Sequence, residues 1–548
     1  MNFEPNRYQK AIFDHIRSSR QHAIVNAVAG SGKTSTLVGA LEHVPRKESV
    51  LLLAYNNHIK KELESRVTAP NAKVSTVYAC GNSALRREIH NKLEVIKWKY
   101  GHVVREAQDF ILDTVAGTGR FLGAFGRREF EDTDFQRQLS LAINLGRLDL
   151  IDPSNGEQWA EICDQHDLDF CIGPEFITVL PEIMPGLFRR GIDQARHDHV
   201  IDFADMIWIP YMLGLELPRY DRVFVDEAQD LSASQLWIAM NSCEPEGQMV
   251  FVGDDRQAVY GFAGAKSDSM DAIRRALPGI KDLPLSISYR CPSEHVKLAS
   301  HLHDTIEAGP DCAPGNIHYI DHDQVYDLVR PGDYVLSRTV APLISFGTAA
   351  SKKRIPVSLV KSDLPVKITK VLDRVVKFHG QDMLREANRI IPMWLEREKK
   401  MKIKYKGSRA DLADLEESAE TLLYFAGAYQ NGEGWDRTFA QSRDGIVRHV
   451  QNIFRVEGRG AVNLSTIHRC KGLEADRVFL LNPLDIPHEN AQEDWQIEQE
   501  WNLMYIALTR SKQDLYLVSP PGEKIGRDTF LNHLRSARSR RPAMVAAQ

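Results

Sequence analysis

The sequence predicts an α/β protein with two cores built on parallel sheets, each carrying a mainly helical insertion. Residues 23–27 are a short apolar run of the buried-strand type, a Gly-Ser-Gly turn at 30–32 interrupts it, and residues 33–41 have a helical pattern. A second strand is predicted at 49–54 and a helix at 59–67. Because strands that alternate with helices favour a parallel sheet, these elements indicate the start of the first core.

The same strand pattern returns later in the chain, after two long stretches that are helical in pattern and rich in charged residues. Those stretches show no clear series of strands, so we interpret them as insertions. The further strand-like runs lie at 222–225, 249–252, 335–336, 463–465, 477–481 and 514–518. The predicted division is a first core of residues 1–84 and 199–280 with an insertion at 85–198, a second core of residues 281–361 and 456–522 with a reduced insertion at 362–455, and a basic, flexible tail at 523–548.

Length and composition limit the class of protein. At about 150 residues per domain, 548 residues predict three to four domains. The 69 Lys and Arg against 74 Asp and Glu give a net charge of −5, so binding to a polyanion would require a local basic patch. Seven scattered cysteines without a CxxC pair argue against a disulfide framework or a zinc site. We expect a soluble, cytoplasmic protein, since neither a secretory leader nor an apolar run of ~18 to 20 residues is found.

The segment from Ala27 to Thr34 fits a phosphate-binding loop at every position except the first glycine, where Ala27 stands. Glycines allow backbone N–H groups to turn toward a phosphate, Lys33 can reach the β- and γ-phosphate oxygens, and Thr34 can hold Mg²⁺. The alternative is an incidental Gly/Ser turn before a helix. A strand before the loop and a helix after it favour a site for ATP.

An apolar strand runs directly into a cluster of acids that begins at Asp226 and reads Asp-Glu-Ala-Gln-Asp. A carboxylate at a strand end beside a phosphate loop is the expected partner of the magnesium ion, which indicates Asp226. Glu227 can polarise a water molecule for in-line attack on the γ-phosphate. An acidic strand end on its own is more often a solvated turn or a helix cap, but the upstream phosphate loop favours the catalytic interpretation.

These segments resemble motifs of the superfamily 1 DNA helicases related to UvrD, PcrA and Rep. The resemblance covers residues 5 to about 518 and implies two RecA-like P-loop NTPase domains, 1A and 2A, with insertions 1B and 2B. The residues at 54–60 and 500–505 are more similar in sequence to the F-box DNA helicase branch. We therefore expect a compact, motor-only member without an F-box. The motif matches, in the family's order, are Asn6 and Gln9 (Q motif), 27–34 (motif I), 226–230 (motif II), 252–265 (motif III), 285–290 (motif IV), 464–474 (motif V) and 500–510 (motif VI).

The resemblance assigns residues to the nucleotide. Gln9 would read the adenine edge, Tyr289 would stack on the base, and Glu474 would hold a ribose hydroxyl. The implied ATP-binding residues are Gln9, Ala29, Gly30, Ser31, Gly32, Lys33, Thr34, Ser35, Tyr289, Arg290, Glu474 and Arg510, with Thr34 and Asp226 as the metal ligands.

The resemblance also implies how hydrolysis is coupled to closure of the two cores. Gln257, Arg290 and Arg510 would converge on the γ-phosphate, with both arginines coming from the second core. They would then neutralise transition-state charge only when the cleft is closed, as an arginine finger does. Without the surrounding motifs, a surface salt bridge would be the more common role for either arginine. The implied catalytic residues are Lys33, Glu227, Gln257, Arg290 and Arg510.

Contact with a DNA strand is implied for aromatic and polar residues. Tyr260 and Phe262 lie two residues apart, and both rings can stack on one strand, where each stacked base contributes about 1 to 3 kcal/mol. The alternative is that both rings belong to a core. Tyr-Asn-Asn-His at 55–58 replaces the family's usual Phe-Thr-Asn-Lys, and Phe262 replaces a frequent Trp, which leaves base preference open. The remaining implied contacts are Tyr55, Asn56, Asn57, Thr466 and His468.

The function implied by the resemblance is ATP- and Mg²⁺-dependent 3′-to-5′ movement on single-stranded DNA, with unwinding at junctions between single and double strands, in repair, recombination or replication. Only the family implies the direction. We expect a monomer with no membrane partner, and the sequence identifies no protein partner. One alternative is a translocase that strips proteins such as a recombinase from DNA. Another is a nucleotide-switched binding module, against which intact Glu227, Gln257 and Arg510 argue.

Overall fold

The computed structural model describes residues 4–90, 92–119, 125–166, 168, 170, 174–259, 269–359, 364–379, 387–404, 419, 422, 460–489, 491 and 493–539. These residues form two compact units. The first contains the described residues of 1–27, 32–285 and 402–409, and the second contains those of 28–31, 286–401 and 410–548.

The first unit combines strands and helices along most of its length. Its strands are β1 (Ala23–Ala27), β2 (Val50–Ala54), β3 (Ala72–Thr76), β4 (Glu94–Val95), β5 (Val200–Ile201), β6 (Tyr220–Val225), β7 (Cys243–Gly253) and β8 (Lys281–Leu285). Its helices are α1 (Arg7–Ser18), α2 (Lys33–Leu41), α3 (Asn57–Arg66), α4 (Val77–Glu88), α5 (Lys99–Glu106), α6 (Gln108–Gly117), α7 (Arg127–Phe130), α8 (Thr133–Leu148), α9 (Gly156–Gln165), α10 (Leu180–His197), α11 (Asp205–Met212), α12 (Ala233–Asn241) and α13 (Ser269–Ala276), with 3-10 turns at Pro174–Val179, Ala228–Asp230 and Asp255–Gln257.

Six described strands of this unit form a parallel sheet in the order β3-β2-β6-β7-β1-β8. Successive residues of its central strands enter opposite cores, since Leu51 and Leu53 pack on one face and Val50 and Leu52 on the other. A sheet covered on both faces requires strands that are apolar throughout. The continuous apolar runs of the sequence therefore indicated the strands at the centre of the sheet.

The edge of this sheet differs from the sequence prediction. β8 pairs with β1 from Lys281 to Leu285, so the first sheet extends beyond residue 280, where the second core was predicted to begin. Pro284 and the polar residues of β8 weaken its strand pattern. An edge strand tolerates proline because one side of its backbone makes no ladder hydrogen bonds.

The described part of residues 85–198 is mainly helical, as its sequence pattern predicts. α5 to α10 surround a separate hydrophobic core in which Phe135, Trp159 and Phe188 are fully buried. The only strand in this range is β4, which pairs in parallel with β5 among the described residues. The insertion is therefore mainly helical, and its core also includes Trp208 and Ile209 of α11.

The second unit repeats the same architecture. Its strands are β9 (Ile287–Ser288), β10 (Glu307–Ala308), β11 (Asn316–Ile320), β12 (Tyr334–Ser337), β13 (Val357–Leu359), β14 (Val462–Thr466), β15 (Ala475–Leu481) and β16 (Ser511–Val518). Its helices are α14 (Ser293–Ala299), α15 (Val325–Leu328), α16 (Ala341–Lys352), α17 (Leu364–His379), α18 (Ala387–Lys404, of which 402–404 are assigned to the first unit), α19 (Asp494–Leu508) and α20 (Arg527–Ser539), with 3-10 turns at His322–Gln324 and Pro483–Asp485.

Six described strands of the second unit form a parallel sheet in the order β11-β16-β15-β12-β14-β13. The predicted α/β class with two parallel sheets is thereby confirmed. Across the described ranges, no helix is both long enough and apolar enough to cross a bilayer.

Candidate nucleotide and nucleic-acid sites

The predicted phosphate loop joins β1 to α2. α2 begins at Lys33, and its N-cap Gly32 has a φ of +81° and makes no side-chain capping bond. Glycine adopts this left-handed conformation without the steric cost that other residues incur. Because the first N–H groups of a helix lack partners within the helix, this terminus suits an anionic phosphate.

Lys33 lies against the acids that follow β6. Its Nζ is 3.2 Å from both carboxylate oxygens of Glu227. Burial by itself would lower the pKa of Lys33, but Glu227, Asp254 and Asp226 raise it above its ordinary value. The lysine is therefore held as a cation at the start of α2.

Asp226 and Glu227 lie side by side but have different environments. Asp226 is buried, and burial together with the charge of Glu227 raises the pKa of Asp226 to about 7. Glu227 has a φ of +52°, a conformation that costs energy in a residue other than glycine and is common at functional sites. A buried carboxyl group with a raised pKa gains by pairing with a cation, and the oxygens of Asp226 and Thr34 are the ligand type that Mg²⁺ prefers. These residues therefore fit Mg²⁺.

A chain of hydrogen bonds leads from Glu227 to Gln257. Gln229 Nε2 donates to Glu227 Oε2 at 2.5 Å, and the Asp254 backbone N–H donates to Gln229 Oε1 at 3.0 Å. Gln257 Nε2 then donates to Asp254 Oδ2 at 2.7 Å. A side chain at Gly253 would place its first carbon 2.6 Å from Gln229 Oε1, so the close approach of this strand requires glycine. Motifs I, II and III thus meet in one network.

Sequence reasoning assigned no role to Gln229 or Asp254, although both lie inside the motifs it identified. A signal was present, because each residue follows the carboxyl end of an apolar run, and neighbouring parallel strands end at the same edge of a sheet. The pairing of β6 with β7 brings these two ends together. Only the strand order shows which strand ends are neighbours.

Gln9 lies in α1 and is 2 % exposed. Its Nε2 donates to Thr36 Oγ1 at 3.0 Å, and its Oε1 accepts from the Asn6 backbone N–H at 3.0 Å in a capping box. An amide has a second hydrogen and a second lone pair, which leaves capacity for an adenine edge. The structure therefore gives Gln9 a local structural role beside the predicted one.

The second unit presents a pair of arginines. Arg290 Nη1 forms an ion pair with Glu474 Oε2 at 3.3 Å. Its Nε and Nη2 are buried and have no hydrogen-bond partner within the described part of the chain. Glu474 is also paired with Lys512, a residue that sequence reasoning did not select. A buried donor without a partner is costly, so Arg290 has donor groups suited to an anion.

Arg510 is buried beside this pair. It donates to the backbone carbonyls of Ile506 at 3.0 Å and Leu473 at 3.2 Å. Burial and the neighbouring charge of Arg290 lower the pKa of the Arg510 guanidinium to about 10. Two guanidinium groups that repel each other in a buried place would be stabilised by a phosphate.

The remaining predicted residues occupy varied positions. Tyr289 is 49 % exposed, which suits a ring that stacks on a base. Ser35 Oγ accepts from Arg66, and the buried Ser31 Oγ has no hydrogen-bond partner in the described part of the chain. Ala29 is buried, and Gly30 and Thr34 are partly exposed.

The predicted DNA contacts are distributed over both units. Asn56 is the N-cap of α3, and its Oδ1 accepts from the backbone N–H groups of His58 and Ile59. Its side-chain amide nitrogen is therefore the group that would contact a DNA strand. Tyr55 is half-buried and Asn57 is exposed. In the second unit Thr466 ends β14, and burial with the charges of Arg338 and Arg469 lowers the pKa of His468 to about 3. Tyr260 and Phe262 lie outside the described residues.

Two helicase families match the chain. The UvrD/REP helicase N-terminal domain matches residues 6–278, and the UvrD-like helicase C-terminal domain matches residues 449–520. The first match contains the phosphate loop and the network that ends at Gln257. The second contains Glu474 and Arg510.

Individual relatives agree with these matches. F-box DNA helicase protein 1 of Schizosaccharomyces pombe is 23% identical over 538 residues, covering 90% of this chain and 55% of that protein. ATP-dependent DNA helicase Rep of Escherichia coli K12 is 23% identical over 304 residues, covering 51% and 40%. F-box DNA helicase 1 of Gallus gallus is 23% identical over 326 residues, covering 55% and 29%.

The chain spans about half the length, or less, of these curated relatives. The two domain matches lie in the order and at the positions that the motifs predict, and they contain the acid–lysine network and Arg510, whereas Arg290 lies between them. The predicted resemblance is therefore confirmed, and the chain belongs to the UvrD/REP family of superfamily 1 helicases.

Proposed function

We propose that this protein is an ATP-driven DNA translocase and helicase that moves 3′-to-5′ on single-stranded DNA and opens duplexes at junctions. It would act as a monomer in repair, recombination or replication. Family membership supports the activity and the direction of movement. The residues of the two units support a mechanism in which ATP hydrolysis drives the movement.

The observation that carries this proposal is the hydrogen-bonded network from Lys33 through Glu227, Gln229 and Asp254 to Gln257. It connects the phosphate loop with the segment that leads, three residues after Gln257, to Tyr260. A change at the γ-phosphate can therefore reach the proposed strand contacts through bonded groups. A protein that only binds a nucleotide has no need of such a connection.

The chain's own groups divide the chemistry of hydrolysis. Lys33 would hold the β- and γ-phosphate oxygens as a cation. Glu227 would orient the attacking water and accept its proton, with its carboxylate positioned by Lys33 and Gln229. Asp226 and Thr34 would hold Mg²⁺, which when bound neutralises charge on the phosphates.

Arg290 and Arg510 would supply the charge that hydrolysis requires. The donor groups Nε and Nη2 of Arg290 suit the oxygens of a γ-phosphate. Stabilising the charge that develops there would relieve the repulsion between the two guanidinium groups. Loss of the γ-phosphate would restore the repulsion, which supports release after each cycle.

The experiment that tests the proposal is unwinding of two otherwise identical duplexes, one with a 3′ and one with a 5′ single-stranded tail. We expect ATP-dependent unwinding from the 3′ tail only, and none with Lys33→Ala. Unwinding from the 5′ tail alone would contradict the proposed direction. Unwinding activity that survives in Lys33→Ala would contradict an ATP-driven motor.

Two further measurements separate the alternative functions. Displacement of a protein from a single strand, without unwinding of either duplex, would identify a stripping translocase. An ATPase that DNA does not stimulate would identify a nucleotide-switched binding module.

A further inference from the structure

A cleft of about 760 Å³ opens in the helical insertion of the first unit. It lies between the start of α5 and the exposed side of α8, and we call it the α5–α8 cleft. Its volume is in the range of about 300 to 1,000 Å³ that is usual for ligand sites. None of the residues assigned above to ATP or to DNA lines this cleft. Its lining residues include Lys97, Trp98, His102, Arg105, Arg137 and Asn144.

The floor of the α5–α8 cleft is rigid and already compensated in charge. Arg147 is buried there, with Nη1 2.8 Å from Asp205 Oδ1 and Nη2 2.7 Å from Asp202 Oδ2. Its guanidinium carbon lies 3.8 Å from the ring centroid of Tyr100. Lys99 completes the cluster through a 2.5 Å contact with Asp205. These groups satisfy one another, so recognition must come from the walls and the mouth.

An exposed tryptophan marks the mouth of the α5–α8 cleft. Trp98 is 70% exposed, more than any other large apolar side chain in the described part of the protein. Lys97 Nζ lies 5.2 Å from its ring centroid, a cation–π distance that helps to orient the ring. Phe203, which follows the lining residue Asp202 in the chain, is 58 % exposed. An exposed apolar surface rimmed by polar residues is typical of an interaction site.

The walls of the α5–α8 cleft are positively charged. Lys97, Arg105 and Arg137 line it, and the carboxylate among its lining residues, Asp202, is paired with Arg147. Arg105 Nη2 donates to His102 Nδ1 at 3.2 Å, which orients its guanidinium. The cleft therefore combines three cations with an exposed ring. It does so in a chain whose net charge is −5.

We propose that the α5–α8 cleft binds single-stranded nucleic acid, with a base stacked on Trp98 and phosphates held by Lys97, Arg105 and Arg137. A positive groove combined with an aromatic platform is the usual design for binding unpaired strands without sequence preference. A duplex would offer the cations its phosphates but would leave the ring unused, because its bases are stacked on each other. The exposed ring therefore favours a single strand over a duplex.

This inference rests on the proposed function, since it gives a DNA motor a strand contact on its helical insertion. It adds a contact separate from Tyr260, Phe262 and the other residues predicted to face DNA. A strand leaving or approaching the motor could be held there while the motor steps.

The test is binding of the full chain, without ATP, to a labelled oligothymidine and to an abasic strand of the same length. We expect Trp98→Ala to weaken binding of oligothymidine about fivefold, the loss of roughly one stacked base, and to leave binding of the abasic strand unchanged. Trp98→Phe should retain most of the affinity, because it keeps an aromatic face. Tyr211→Ala, at an exposed ring outside the cleft, and Arg196→Gln, at an exposed cation of α10, are the matched controls.

The positive wall is tested separately by salt dependence. Replacing both Arg105 and Arg137 by Gln should weaken binding of both strands and reduce the slope of log affinity against log salt by about 1.4, or roughly 0.7 for each phosphate contact. If Trp98→Ala bound oligothymidine as the wild type does, or weakened both strands equally, stacking in the cleft would be excluded. A loss confined to blunt duplex DNA would assign the cleft to duplex phosphates and overturn the inference.

Failure of this inference can be distinguished from failure of the proposed function. If the wild-type protein binds no single strand and DNA does not stimulate its ATPase, the proposed function fails. If the wild-type protein binds a strand, DNA stimulates its ATPase, and every cleft variant binds as the wild type does, only the cleft is excluded.

Discussion

The two units handle charge in opposite ways at their predicted catalytic residues. In the first unit, Lys33 is surrounded by carboxylates and is hydrogen-bonded to Glu227. Gln229 in turn donates to Glu227 and accepts from the backbone of Asp254. In the second unit, Arg290 and Arg510 repel each other, and two donor atoms of Arg290 have no partner in the described part of the chain. The acid–lysine site is internally compensated, whereas the arginine site has unmet donor capacity.

This difference indicates a division of work. A compensated site is preorganised, so its groups need little rearrangement when ATP arrives. A site with like charges in a buried position is destabilised until an anion neutralises it. Proteins tolerate such strain where function uses it. In the proposed mechanism, binding energy released at the arginines would be available for movement, and the first unit would maintain the geometry for attack.

The largest expected effect comes from replacing Arg510. Arg510→Met should lower DNA-stimulated kcat by about 10³- to 10⁵-fold, the range for loss of an arginine finger. The same change removes a buried charge that Arg290 opposes, which offsets the lost hydrogen bonds to the Ile506 and Leu473 carbonyls, so the melting temperature without nucleotide should fall little. Steady-state ATPase assays and thermal melting of one preparation measure both outcomes.

Arg338 provides the matched control for Arg510. Arg338 lies in the same unit, and its Nε and Nη2 donate to the carboxylate of Glu500 at 2.6 to 2.8 Å. Arg338→Met should lower the melting temperature, because it leaves the buried Glu500 without its cationic partner and with the His488 backbone N–H as a remaining donor. Equal destabilisation by the two substitutions would contradict the contrast between the units.

Replacing Glu227 should have the next largest effect. Glu227→Gln removes the proposed general base and should reduce kcat by about 10²- to 10⁴-fold, while ATP still binds through Lys33. Turnover and binding of a fluorescent ATP analogue separate the two steps. Glu64→Gln, at an exposed acid of α3, should leave turnover unchanged. If Glu227→Gln retained wild-type turnover, the water would be activated elsewhere.

A smaller effect is expected where the network connects motif II to motif III. Gln229→Ala would leave the Asp254 backbone N–H without an acceptor, at a cost of about 1 to 3 kcal/mol. We expect a lower melting temperature and weaker stimulation of ATPase by DNA, with KM for ATP little changed. Gln194→Ala, on α10, serves as the control. A proportional fall in basal and stimulated rates would show that Gln229 does not couple DNA to hydrolysis.

The smallest effect concerns His468, which lies among cations of the second unit. Burial and the charges of Arg338 and Arg469 lower its pKa to about 3, below the value of about 6.5 in an unfolded chain. Its neutral form is therefore the stable one. The contribution of neutral His468 to the stability of the folded protein is complete above about pH 6.5 and is lost as pH falls toward 3.

At about pH 5 this loss should reach about 1 to 2 kcal/mol. His468→Gln should reduce the fall in melting temperature between about pH 7.5 and pH 5. If the substitution left that difference in melting temperature unchanged, the pKa of His468 would not be lowered by burial and the surrounding cations.

The sequence identified the central strands of both sheets and missed the edge strands. β1, β2, β6 and β7 in the first sheet, and β12, β14, β15 and β16 in the second, are strands for which continuous apolar runs were found. Within these two six-stranded sheets, the strands not predicted were the four edges, β3, β8, β11 and β13. An edge strand is partly exposed and alternates polar with apolar residues, so it lacks the continuous run. β8 shows the consequence, because the predicted boundary at 280 separated it from its own sheet.

The sequence by itself determined the family and the α/β class, and it predicted the catalytic motifs, because phosphate chemistry requires particular residue types at short spacing. Tertiary structure decided the rest, since it depends on groups far apart in the chain. Strand order brings Gln229 to Asp254, and the packing of α5 against α8 creates the cleft beside Trp98. Local spacing carries the chemistry of single motifs, whereas the connections between them follow from which strand ends and helix faces become neighbours.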